Sequence, residues 1–234
     1  MRVYISLSIA LFLATTIRPS YCSSAENAGK QRQVVYSSPS AVFGSFTRAR
    51  ENMDWGKVFS CMTVALQNQA IVEACMACQM HQDNPKFVAI QEKYGATEEA
   101  INNAYFKRYR KKHKIDAGTT DAQIPLGDQE VINEAILAEI RDKHDFHAAV
   151  YATLHQKGGL SQMRNFREEK VDSDVATGIA DVTYYIFKGT GNGIMKKEEQ
   201  VFVQTFKFRK VNESWLIDGE QYKPIERPKI GASE

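Results

Sequence analysis

The chain has 234 residues, 43% of them hydrophobic and 25% charged. That balance fits one globular domain, or one domain with an elaborate insertion. Its 30 basic residues nearly balance 28 acidic ones; the first 25 residues hold Arg2 and Arg18 and no acid, so the remainder is formally neutral. Neutrality argues against a general nucleic-acid binder, which carries a clear basic excess.

Residues 1–25 read as a secretory leader. Arg2 precedes an apolar run from Val3 to Ile17, then Pro19 and small residues follow, with cleavage expected after Ala25. The run is shorter than the roughly 20 residues a spanning helix needs. No other run approaches that length, so no membrane span is expected after cleavage. Tyr21 stands ahead of Cys22, where a lipid-modified cysteine wants small residues, so no lipid anchor is expected. The expected location is periplasmic or extracellular. Residues 26–37 are polar with little periodicity and read as a flexible lead-in.

Helical signals then follow one another. Ser38 sits as an N-cap with Pro39 at the first helical position, and Ala41, Val42, Phe46 and Ala49 share a side. Asp54 caps a short second helix carrying Trp55, Val58 and Phe59. Thr63 caps a third that runs to about Gln82, and Asp83-Asn84-Pro85 ends it. A short helix from Pro85 stops at Gly95, which suits a left-handed terminus. Thr97 caps the next, with two glutamates in its first turn and basic residues at its end, as the helix dipole prefers. The stretch from Asp128 to Gly158-Gly159 is one long helix or two, with Asp145 capping the second.

After Gly159 the period changes from helix to strand. Three to four strands are expected: "MRNFREEKVD", "VATGIADVTYYIFKG", "EEQVFVQTFKFRKV" and "WLIDGEQY", with turns at Gly189–Gly193 and Asn212-Glu213-Ser214. In the second strand Ala176, Gly178, Ala180, Val182, Tyr184 and Ile186 share the face that packs on helices. Residues 223–234 form a loose tail with Pro228 near its middle. Helices first and an antiparallel meander after them define an α+β fold.

The pieces "SPSAVFGSFTRARENMDWGKVFSCMT" and "FKFRKVNESWLIDG" carry a resemblance. With Asp54-Trp55 after the first helix, Thr63 opening the next and Trp215-Leu216-Ile217-Asp218 near the end, the chain resembles the NTF2-like (cystatin-like α+β) superfamily and its exported bacterial proteins of unknown function. The resemblance covers roughly residues 38–82 and 160–222, with 84–157 as a helical insertion into a domain spanning 38–222. It implies a curved sheet wrapped around helices, a cone that holds a pocket. Such domains serve as enzymes, ligand binders or dimerisation modules, so the family alone does not choose among them.

Three residue groups invite chemistry. Cys75-x-x-Cys78 lies late in the third helix, far from the helix N-terminus that a redox pair uses. At about 100° per residue, both cysteines fall with Val64 and Ile71 on the stripe facing the core, and His81 sits at its edge. The foremost reading is buried core cysteines. A disulfide from Cys61 to one of the pair stays open, as does a metal or redox site of Cys61, Cys75, Cys78 and His81. The basic run Phe106–Lys114 reads as a solvated helix end, and His144 and His147 lack a third ligand at a diagnostic spacing. On the second strand's other face, Asp181 with Tyr185 is the best available acid–base pair for an isomerase or hydratase type of pocket enzyme. The expectation is a non-catalytic binding or interaction domain without a cofactor. It would hold a small apolar ligand in the cone, or pair as a homodimer through the sheet.

Overall fold

The computed structural model describes residues 34–116, 118–155, 161–190 and 194–223. The expected leader with Cys22, most of the lead-in, Gly158-Gly159, Gly191 to Gly193 and residues 224–234 lie outside them. Among the described residues, helices α1 (Pro39–Glu51), α2 (Trp55–Ser60), α3 (Val64–Met80), α4 (Pro85–Tyr94), α5 (Glu98–His113), α6 (Gln129–Glu139) and α7 (Lys143–Leu154) precede four strands. These are β1 (Gln162–Asp172), β2 (Val175–Thr190), β3 (Ile194–Val211) and β4 (Ser214–Lys223). The strands pair antiparallel in chain order, β1-β2-β3-β4. The fold is α+β, helices first.

Local chemistry starts and stops the helices. Ser38, Asp54, Thr63, Asn84 and Thr97 each accept a backbone N–H of the helix they open. Gly95 ends α4 at φ 76°. The stretch after Asp128 is two helices, but Asp145 does not cap the second. Asp142 holds that position in a left-handed conformation without a side-chain cap, while Asp145 lies in the first turn. The break has a tertiary cause: the Arg141 N–H turns away to the Tyr94 carbonyl at 2.9 Å.

Two apolar clusters fill the interior. One is helical, with Ile71, Cys75, Cys78, Phe87, Tyr94, Ile101, Tyr105, Val131, Ile136, Phe146 and Val150 buried across α3 to α7. The other packs α1 and α2 on the sheet, through Val42, Phe43, Phe46, Trp55, Val58, Cys61, Phe206, Phe208, Trp215 and Ile217. Met62 and Tyr151 border both. Val64 departs from its expected stripe: it is 71% exposed, while Leu66 of the same turn packs on the helix–sheet cluster.

Ala176, Gly178, Ala180 and Val182 of β2 are buried on the helix side, as alternation requires. Gly178 is needed there, because a Cβ would lie 2.5 Å from Phe166 Cζ. Phe166 stacks on Phe43 at 4.2 Å between centroids. Two irregularities reset the pleat. In β1 a bulge between Arg164 and Arg167 sets Asn165, at φ 54°, beside Asp181. In β4 Phe208 pairs with Ile217 but Lys207 pairs with Gly219, so Asp218 is an extra residue. Strict alternation from Ile217 would point Gly219 inward. The bulge instead brings Glu220 opposite Phe206, onto the inner face. The rest of β4 is tied down: Ile217 exchanges hydrogen bonds with the Cys61 and Thr63 backbones at 2.9 and 2.8 Å, and the Trp215 N–H reaches the Tyr36 carbonyl.

Candidate functional site

Among the residues whose side chains are described, the inner face of the sheet is apolar around Phe206 and Phe208 and turns polar at Gln204 and Glu220. Gln204 follows Phe208 and Phe206 along the inward positions of β3 and has no exposed surface. Its Nε2 donates to Glu220 Oε2. No protein donor reaches its Oε1. Half-buried Glu220 is there only through the Asp218 bulge. Burial raises its pKa above the usual carboxylate range; the Arg50 charge and the Gln204 bond pull the other way, and Glu73 adds to the rise.

Arg50 comes from the last turn of α1. Its guanidinium donates to Ser161 Oγ at 3.0 Å, approaches Met163 Sδ at 3.4 Å and lies 5.6 Å from the Phe46 ring. The same charge acts on His155, the residue that ends α7. Burial first and Arg50 second lower the His155 pKa. Arg50 thus reaches the Ser161 hydroxyl by a hydrogen bond, and its charge acts on both the Glu220 carboxyl of β4 and the His155 imidazole at the end of α7.

His155 also closes a stripe along α7. Trp55 lies 5.0 Å from His155 and 5.4 Å from Tyr151, and Tyr151 stacks on His147 at 4.3 Å. His147 is 1% exposed, and neither ring nitrogen makes a well-formed hydrogen bond, although the Trp55 backbone lies close enough to favour its protonated form. The Trp55 Nε1 is likewise without one. Burial, and after it the His144 charge, push the His147 pKa down to about 4. His144 lies over Gly56, whose carbonyl meets its Nε2 at 3.1 Å, while Nδ1 meets Asp145 at 2.9 Å. A Cβ at Gly56 would fall 2.7 Å from that ring.

The residues singled out from the sequence lie elsewhere. Asp181 is on the outer face of β2, accepting from Asn165 at 2.8 Å and facing Arg167 at 3.5 Å. Tyr185 pairs with Glu199 through the backbone, and its side chain lies outside those described. Cys61, Cys75 and Cys78 are free thiols without exposed surface. Cys75 and Cys78 sit in the helical cluster, where burial pushes both up to about 12. Cys61 sits in the other cluster, 3.5 Å from the Tyr36 hydroxyl. His81 is the exposed C-cap of α3, stacked on Phe87 at 5.2 Å. The proposed four-residue metal set is therefore divided between two cores, and no cluster of three metal-capable side chains occurs among the described residues.

The basic end of α5 is matched by acids that follow it. Arg110 pairs with Asp121, Lys112 with Asp128 and Glu130, and His113 with Asp128. No helix among the described residues is long and apolar enough to cross a membrane.

Gln204 and Glu220 were missed for different reasons. Gln204 carried a signal: it stands at an inward position among phenylalanines. Glu220 carried only the Asp218-Gly219 pair within a strand, which marks a bulge. No protein-family model, curated protein or solved structure matches the chain.

Proposed function

We propose that this is an exported, non-catalytic binding domain of NTF2-like type whose ligand site is the polar end of the inner sheet face. The observation that carries the reading is the orphaned, fully buried Gln204 Oε1 beside Glu220, on which the Arg50 charge acts. Native interiors pair their buried polar groups, so an unpaired one beside a buried apolar cluster is a feature a ligand would complete. The order of elements, helices and then a four-stranded meander, supports the family resemblance. The outer face, with Ile179, Val201 and Val203 beside Asp181, is the surface through which two copies would pair.

Thermal-shift screening of a small-molecule library tests the binding reading. Compounds that raise the melting temperature of the wild type should lose that effect in Arg50→Ala and Glu220→Gln. A library whose hits act equally on all three proteins sinks the assignment of the site.

A second reading is a pocket enzyme of isomerase or hydratase type, and it moves from Asp181 to Glu220 and His155. It is favoured by one observation: burial shifts these two groups toward each other, the carboxyl upward and the imidazole downward. Ligand hydrogens that exchange with deuterated water only when Glu220 is intact would select it over plain binding.

A further inference from the structure

We propose that this inner-face site recognises an uncharged hydrogen-bond donor, an alcohol hydroxyl or an amide N–H, carried on a compact apolar body. The inference rests on the binding reading above and gives that ligand a chemistry. Gln204 Nε2 is already committed to Glu220, so the group left to recognise something is Oε1, which only accepts. Turning the amide over does not remove the orphan. With Glu220 ionised, Nε2 would then lack a partner, and Oε1 would face the Glu220 carboxylate, acceptor against acceptor. A ligand that brings a donor to this atom satisfies a group that is otherwise buried unpaired.

Arg50 and Glu220 act on each other's charge, so a charged ligand would gain from one and lose to the other. The burial that already raises Glu220 penalises any further unpaired charge. The neighbouring inward positions are apolar and buried: Ala180 pairs with Gln204, Phe206 pairs with Glu220, and Val182 is next along β2. Those surfaces suit hydrocarbon around the single polar group.

Four probes of one shape separate the terms: cyclohexanol, methoxycyclohexane, cyclohexylamine and cyclohexanecarboxylate. Each is titrated into the purified protein while the side-chain amide resonances of Gln204 are followed by nitrogen-15 NMR. Cyclohexanol should shift those resonances and bind about tenfold or more tightly than methoxycyclohexane, which offers no donor. Gln204→Leu should make the two equal. If that variant does not fold, Gln204→Met, of similar length, takes its place, and the alcohol-to-ether ratio in the wild type still decides. An ether that binds as well as the alcohol overturns donor recognition, and tighter binding of the amine or carboxylate overturns the selection against charge. In both cases the site still binds and the broader reading stands. If none of the four moves the Gln204 resonances, both readings fall, and Oε1 is served by an internal water.

Discussion

The two cores of this protein follow different rules. The helical core joining α3 to α7 is mostly apolar, with Gln91 buried on α4, and local side chains cap α3, α5 and α6. The helix–sheet core begins the same way around Phe43, Phe46 and Phe206, then turns polar at one end. The orphaned side-chain atoms among the described residues are Trp55 Nε1, both nitrogens of His147 and Gln204 Oε1. They lie on α2, α7 and β3; none lies on α3 to α6. The unpaired atoms thus fall in the helix–sheet region and at the border of the two cores, where α2, α7 and the sheet meet. The candidate site belongs with that second pattern.

The largest effects should come from breaking each core at its centre. Phe146→Ala and Phe206→Ala remove fully buried rings, one from each cluster, and each should cost about 3–5 kcal/mol in urea unfolding. Met62 and Tyr151 border both clusters, so both variants should still unfold in one transition. Two separate transitions would mean that the cores are independent units.

Acid should sharpen the contrast. His147 titrates at about 4 in the folded protein, against about 6.5 for the free side chain. Between those values the unfolded chain binds the extra proton, so stability is fully present above pH ~6.5 and is lost as the pH falls toward 4. The loss from this residue should approach about 3 kcal/mol. Denaturant midpoints at pH 7, 5.5 and 4 would show it, and His147→Phe should flatten that part of the profile. An unchanged slope in the variant would assign the acid sensitivity to other groups.

Gly178→Ala should be milder, about 1–3 kcal/mol, since the new methyl must displace Phe166 from Phe43 while the strand itself remains able to pair. Loss of the ring-current shifts of the Phe43–Phe166 stack would accompany it. A variant of unchanged stability would mean that Phe166 repacks freely.

The sequence announces what short-range chemistry decides. Ser38, Asp54, Thr63, Thr97 and Gly95 mark helix ends because their hydrogen bonds and backbone angles act within a turn. The phase of α3 correctly turned Ile71, Cys75 and Cys78 inward. It misplaced Val64, because periodicity gives a direction around the helix and not the point where its neighbours end. The break before α7 was open as one of two alternatives and set at Asp145 instead of Asp142, because no Gly or Pro marks it and the Arg141 N–H turns to the Tyr94 carbonyl. The site suffered most, since one inserted residue in β4 reverses every later side chain. Reading the strand by alternation leaves Glu220 outside and makes Asp181 the best carboxylate available.

That pair supplies the smallest and most discriminating test. Asp181 and Glu220 are strand carboxylates on opposite faces of one sheet. Asp181→Asn removes a partly exposed pairing with Arg167 and should change stability by less than about 1 kcal/mol, leaving ligand binding untouched. Glu220→Gln should act in the opposite sense. The folded protein holds the Glu220 proton more firmly than the unfolded chain does, so its contribution is present at low pH and lost as the pH rises through the raised folded value. An uncharged residue escapes that loss, so Glu220→Gln should raise the melting temperature at pH 7 and lose the gain at pH 4. Melting curves of both variants at the two pH values would decide. If Asp181→Asn instead abolished binding while Glu220→Gln melted like the wild type at both pH values, the outer face would be the functional one and the Asp218 bulge mere strand irregularity.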